Sequence, residues 1–162
     1  MGDHLSRHDR SRLMASIGPK DTRPELIVRR LVHRLGYRYR KHVKGLPGTP
    51  DLVFSARKKI ILINGCFWHG HSCRRGMARP KTNIMYWNSK IDRNIERDLR
   101  QMEDLRGRGW SVMVVWECET KDIDALEERV LSFLGKRRLD ANCERRRREG
   151  CVLAENNLSK AQ

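Results

Sequence analysis

An α/β fold, in which a mixed β-sheet carries helices packed on it, is predicted by three observations. Two short apolar runs, "DLVF" and "KIILIN", follow one another across the polar break "SARK", the pattern of a hairpin. Stretches beginning at Asp21, Thr82 and Asp122 carry apolar residues at helical spacing. A further apolar run, "WSVMVVW", stands between the second and third of them. The order helix, three strands, helix, strand, helix makes the sheet mixed and gives its helices a core to share. At 162 residues there is room for one such domain, placed here at 21–135.

Residues 1–20 are polar, basic and weakly periodic, and read as a flexible arm with room for a short helix. "DTRPELIVRRLVHRLG" then opens with helix signals. Thr22 is placed to cap, Glu25 sits three residues later, and Pro24 lies in the first turn, where its missing N–H costs little. Leu26, Ile27, Leu31 and Leu35 fall near one face, and Gly36 is a natural stop. "YRYRKHV" alternates like a strand with one basic face, and "LPGTP" is a turn before the hairpin. "TNIMYWNSKIDRNIERDLRQMEDLRGRG" reads as a long amphipathic helix closed by glycines. "WSVMVVW" is a buried strand, with Trp110 and Trp116 as core residues, and "DIDALEERVLSFLG" is a last amphipathic helix. From Lys136 to Gln162 the chain is charge-rich and poor in core formers, the composition of a disordered or loosely helical basic tail.

Lys and Arg total 35 against 20 acidic residues, a formal charge of +15 and a pI near 10.3. A surplus of this size is either solvated or paired with a polyanion; nucleic acid is the usual partner, with solubility and membrane-surface binding as the other readings. No apolar stretch approaches the roughly 20 residues that cross a bilayer. The N-terminal run lacks the apolar segment of a secretory signal, so the expected location is the cytoplasm. There, five cysteines are better metal ligands or free thiols than a disulfide framework.

The segment "NGCFWHGHSC" concentrates the chemistry. Cys66, His71 and Cys73 lie close together, and Cys118 follows the "VMVVWE" strand, whose end can come beside them. Four such ligands make a closed, structural zinc site, whereas the bland reading is buried thiols beside surface histidines. Cys143 and Cys151 lie in the tail and are expected to bind nothing. Asp51, after Pro50 at a strand's start, is placed to ligate Mg²⁺ through oxygen, or is an ordinary turn aspartate. Asp98 fills the missing slot in a stripe of Ile91, Ile95, Met102 and Leu105, where a carboxylate needs a partner. That partner is a histidine such as His69, or one of the many arginines. Glu25 has two readings, as a capping residue or as a group turned toward phosphate. Phe67 and Trp68, between ligands, have little core to enter and are placed to wedge between base pairs. Tyr86 and Trp87 would add to the wedge, although Trp87 leads into Ile91 at helical spacing and suits the core nearly as well.

Taken together, "LPGTPDLVF", "NGCFWHGHSC", "RNIERD" and "GWSVMVVWEC" resemble the very-short-patch mismatch repair endonucleases, the Vsr family. The resemblance runs from about Arg12 to Leu134. It implies a restriction-endonuclease-like fold and strand-specific nicking 5′ to the thymine of T:G mismatches, which arise when 5-methylcytosine deaminates. It implies that Asp51 and the backbone carbonyl of Ile63 hold the catalytic Mg²⁺. His69 would transfer protons with Asp98 behind it, Glu25 would contribute from the first helix, and Cys66, His71, Cys73 and Cys118 would hold structural zinc. Phe67, Trp68 and Trp87 would enter the base stack. The implied partners are duplex DNA bearing the mismatch, a functionally linked DNA cytosine methyltransferase and mismatch-repair matchmaker proteins, for a monomer in a bacterial cytoplasm at the nucleoid.

Two positions depart from the family's habit, where the second hairpin strand ends in Thr-His. Here they are Ile63 and Asn64. Only a carbonyl is asked of Ile63, but Asn64 donates a hydrogen bond and shuttles no proton near neutral pH. The departure bears on rate and target. Two other readings therefore stand beside the first: a related nuclease with a different mismatch or sequence target, and a zinc-stabilised DNA-binding module without catalysis.

Overall fold

The computed structural model describes Asp9, Arg12 and residues 21–135, so the expectations for the arm and the tail, Cys143 and Cys151 included, lie outside the described residues. Helix α1 (Arg23–Arg34) leads into strands β1 (Arg40–Lys41), β2 (Leu52–Phe54) and β3 (Lys59–Asn64). A single turn, α2 (Arg74–Met77), precedes the long helix α3 (Ile84–Gly107), strand β4 (Ser111–Trp116) and helix α4 (Ile123–Leu134). The strands form one mixed sheet in the order β1-β2-β3-β4. β1 to β3 are antiparallel neighbours, whereas β3 and β4 run parallel, with Asn64 opposite Trp116. Parallel neighbours need a crossover, and α3 is its helix.

Period-two alternation sorts each inner strand between two cores. Ile61, Met113 and Val115 join Leu52 and Phe54 against Val28, Leu31 and Val32 of α1 and Leu126, Val130 and Leu134 of α4. Ile60 and Leu62 point the other way with Val53, against Leu105 and Met102 of α3. Helices therefore cover both faces of the sheet. This explains why "KIILIN" is an unbroken apolar run: each of its faces has a buried core to enter.

The structure corrects three expectations. The "YRYRKHV" strand shrinks to Arg40–Lys41, because Tyr37 turns into the larger core and its hydroxyl donates to the Gly135 carbonyl at 2.6 Å. At the strand's other end the backbone leaves the extended region at His42, where φ is +46°. On α1 the buried face carries Val28, Leu31 and Val32 with Glu25 and Arg29, while Leu26 is 39% exposed. An acid and a base thus take inward positions that hydrophobic periodicity assigned to Leu26 and its neighbours. Thr22 occupies the cap position without a side-chain cap bond; its hydroxyl donates instead to Glu25 Oε1 at 3.1 Å.

Candidate active site and metal centre

The turn that delivers Asp51 closes against α3. Gly48 has φ of +68°, a bend that glycine makes without strain, and the end of the Gln101 side chain occupies the space where a Cβ would stand. Asp51 then sits just before β2, where its Oδ2 accepts the Ile63 N–H at 2.8 Å. A residue's N–H and C=O leave an extended strand on the same side, so the Ile63 carbonyl faces that edge too. Burial pushes the Asp51 carboxyl above its ordinary range; the Ile63 N–H opposes this, and the charge of Glu25 adds to it. Beside it, Glu25 is 3% exposed and accepts Arg29 Nη2 at 2.6 Å and the Asp21 N–H at 3.1 Å.

On the other wall, Asp98 meets His69. Its Oδ2 is hydrogen-bonded to His69 Nδ1, and its second oxygen takes Arg97 Nη2 at 3.3 Å. A carboxylate only accepts, so Nδ1 carries the proton and Nε2 takes no part in that bond. Both partners offered for Asp98 are present, with the histidine much the closer. One open cleft of about 1420 Å³ is lined by Glu25, Asp51, Ile63, Asn64, His69 and Asp98. Phe67 and Trp68 line it as well.

The same loop carries most of the Cys/His cluster. One ligand atom each from Cys66, His71, Cys73 and Cys118 fall within 4.8 Å of one another. Tetrahedral zinc, with Zn–S of about 2.3 Å, spaces its ligands about 3.8 Å apart, so the group needs only a slight contraction. Three sulfurs and an imidazole are the donors that zinc prefers. The loop closes tightly enough that a Cβ on Gly76 would fall 2.0 Å from the His71 carbonyl oxygen. Burial pushes the Cys66 thiol up to about 12 and also raises Cys118, while a hydrogen bond from His71 draws Cys73 down to about 6. A cation would hold all three as thiolates.

Trp87 is 5% exposed and packs edge-on against Phe67, with ring centroids 5.7 Å apart, behind the half-buried Phe67 and Trp68. Trp116 is half-buried and stacks on His71 at 4.4 Å, steadying the cluster where a core place was expected. Trp110 is half-buried against the smaller core, under the Lys58 ammonium at 4.7 Å. Sequence reasoning missed four residues. Arg29 and His42 join Glu25, although the Glu25/Arg29 spacing of four on one helix was a readable sign. Asn94 Nδ2 donates to the Trp68 carbonyl at 3.0 Å and anchors the aromatic loop to α3. Lys90 Nζ lies 5.4 Å from the Trp68 ring centre and 5.8 Å from those of Tyr86 and Trp87.

A carboxylate and a His–Asp pair across one cleft, with aromatic rings on its lining and a strongly basic chain around it, define the class: a nuclease that acts on DNA. Comparison with known proteins gives the family. The model of the DNA mismatch endonuclease Vsr matches residues 2–75. The type II nicking enzyme V.XorIIP of Xanthomonas oryzae is 49% identical over 134 residues, 83% of this chain and 98% of that protein. The type II nicking enzyme V.NmeAIP of Neisseria meningitidis is 43% identical over 130 residues, 80% of this chain and 92% of that protein. The DNA mismatch endonuclease Vsr of Escherichia coli is 35% identical over 132 residues, 82% of this chain and 84% of that protein. The chain belongs to the Vsr family of DNA mismatch endonucleases and nicking enzymes.

Proposed function

We propose that this chain is a Mg²⁺-dependent endonuclease that nicks one strand 5′ to the thymine of T:G mismatches left by deamination of 5-methylcytosine. The observation that carries the reading is that Asp51, the Ile63 backbone and the His69–Asp98 pair line one cleft together with Phe67 and Trp68. Asp51, with Oδ2 committed to Ile63, offers Oδ1 to a hard cation, and the Ile63 carbonyl offers a second oxygen, donors that suit magnesium. When bound there, the ion supplies charge neutralisation at the phosphate and a more acidic water. His69 moves a proton at Nε2 while Asp98 holds its ring and tautomer. Glu25, already bound by Arg29, Asp21 and Thr22, shapes the field around Asp51. Asn64 donates hydrogen bonds to the bound backbone without moving a proton.

Zinc on Cys66, His71, Cys73 and Cys118 stiffens the loop so that Phe67 and Trp68 enter the stack beside the mispair, backed by Trp87. A T:G wobble is a defect of shape as well as of edge pattern, and rings pressed into the stack test how easily it opens. The fold reading is restriction-endonuclease-like, and the working unit is a monomer in a bacterial cytoplasm at the nucleoid. Its partners are duplex DNA, a DNA cytosine methyltransferase whose product creates the lesion, and mismatch-repair matchmaker proteins.

A second reading, a nuclease with another mismatch or sequence target, draws on Asn64 and on relatives named as type II nicking enzymes. Labelled duplexes carrying T:G in several contexts, with and without Mg²⁺, separate the readings beside an Asp51→Ala control. Strand-specific nicking lost in the control is the expected result. Equal cutting of matched duplex moves the target to the second reading, and binding without any cut defeats both.

A further inference from the structure

We infer that His42 touches the substrate, donating its Nδ1–H to a non-bridging oxygen of the phosphodiester at Asp51, with Arg29 as the positioning residue that fixes its tautomer. The inference rests on the nuclease reading above and adds to it a residue from β1's end. His42 lines the same cleft as Asp51 and Glu25. Its backbone sits at φ +46°, a conformation that a β-carbon disfavours, and this turns the chain out of β1.

The ring's chemistry follows from its nearest neighbour. Nε2 lies 3.0 Å from Arg29 Nη2 and 3.9 Å from Glu25 Oε2. A guanidinium has donors and no acceptor, so at 3.0 Å Nε2 must be the accepting nitrogen and the ring proton must sit on Nδ1. Arg29 cannot easily swing away. It is 6% exposed, its Nη2 is 2.6 Å from Glu25 Oε2, and its Nη1 is bound to Asp21. Among the described residues no acceptor is recorded for Nδ1, so its N–H is a donor held ready. Glu25 and Asp51 on this wall are carboxylates that repel a phosphodiester, and a fixed donor beside them offsets that repulsion at the phosphate oxygen.

The test uses the duplex nicked by the full chain, with sulfur replacing each non-bridging oxygen of the scissile phosphate in turn, under single-turnover conditions with Mg²⁺. Wild-type protein should be slowed by sulfur at one oxygen in a way that Mn²⁺ does not relieve. His42→Leu should lower the rate on the all-oxygen duplex by about 100- to 1,000-fold and lose that sensitivity to sulfur. His42→Gln, which keeps an N–H donor, should recover part of the rate. A His42→Leu variant that nicks at the wild-type rate overturns the inference, as does one that is slowed but keeps the sulfur effect. Either result leaves the nuclease reading intact provided Asp51→Ala is inactive. Nitrogen NMR of the free protein tests the same claim without activity: a His42 ring protonated at Nε2 defeats it even if the protein nicks nothing.

Discussion

Asp98 occupies a slot where the inner stripe of α3 would otherwise carry an aliphatic side chain. Its company with His69 explains why the helix tolerates it: the carboxylate has found the partner that a buried charge requires. Asp98→Asn keeps the shape but presents an amide to Nδ1, so the ring loses its preferred tautomer. The nicking rate should fall about 100- to 10,000-fold with duplex affinity nearly unchanged, measured by single-turnover cleavage and equilibrium binding. Asp51 tells the opposite story. Because burial raises its carboxyl in the folded chain, the fold binds this proton more tightly than the unfolded chain does. Stability from this group therefore falls as pH rises from the unfolded value through the folded one, and the penalty is complete above it. Asp51→Asn removes that penalty. In Mg²⁺-free buffer the variant should melt above wild type near pH 8, with the gap closing as pH is lowered toward about 4. A variant that melts lower at every pH would contradict this account of the site.

The Cys/His loop is the element on which the geometry depends most. It has little apolar core of its own between β3 and α3, and its candidate ligands converge from two strand ends: Cys66 after β3 and Cys118 after β4. Parallel pairing of β3 with β4 brings these ends level. Trp116 stacked on His71 and Asn94 bound to the Trp68 carbonyl extend that support to both sides of the loop. Purified protein should contain one equivalent of zinc by elemental analysis. A strong zinc chelator, or Cys118→Ser, should lower the melting temperature by roughly 10 °C, the effect of losing a site worth a few kcal/mol. Metal-free protein with an unchanged melting temperature would remove zinc from the account.

Over the whole molecule, a charge of +15 meets a cleft lined by the carboxylates of Glu25, Asp51, Asp98, Asp104 and Glu117. Lys44, Arg75, Lys90, Arg97 and Arg100 line the same cleft and are cations available to DNA phosphates. If these five groups each neutralise a phosphate, log K should fall against log salt with a slope of about −4.5, roughly 500-fold between 50 and 200 mM salt. Fluorescence anisotropy across a salt series would measure it, and a slope near zero would mean that the basic surface is turned elsewhere. Among the described residues no helix is long and apolar enough to cross a membrane.

Much of this was written in local pattern. The hairpin, the long helix, the Cys/His set and the irregular carboxylate at Asp98 are legible because period and spacing are properties of neighbouring residues. Other features depend on partners far along the chain. Leu26 faces solvent because Arg29 reaches Glu25, Asp21 and His42 at once, an arrangement that outweighs the helix's apolar period. Tyr37 leaves its strand for Gly135, and Trp87 goes behind Phe67, for the same kind of reason. By itself the sequence determined which residue types could serve DNA, metal and core, since charge and periodicity are carried by the chain. Only the tertiary structure decided which polar groups share the Asp51 cleft, because hydrogen-bond partners are chosen by distance in space.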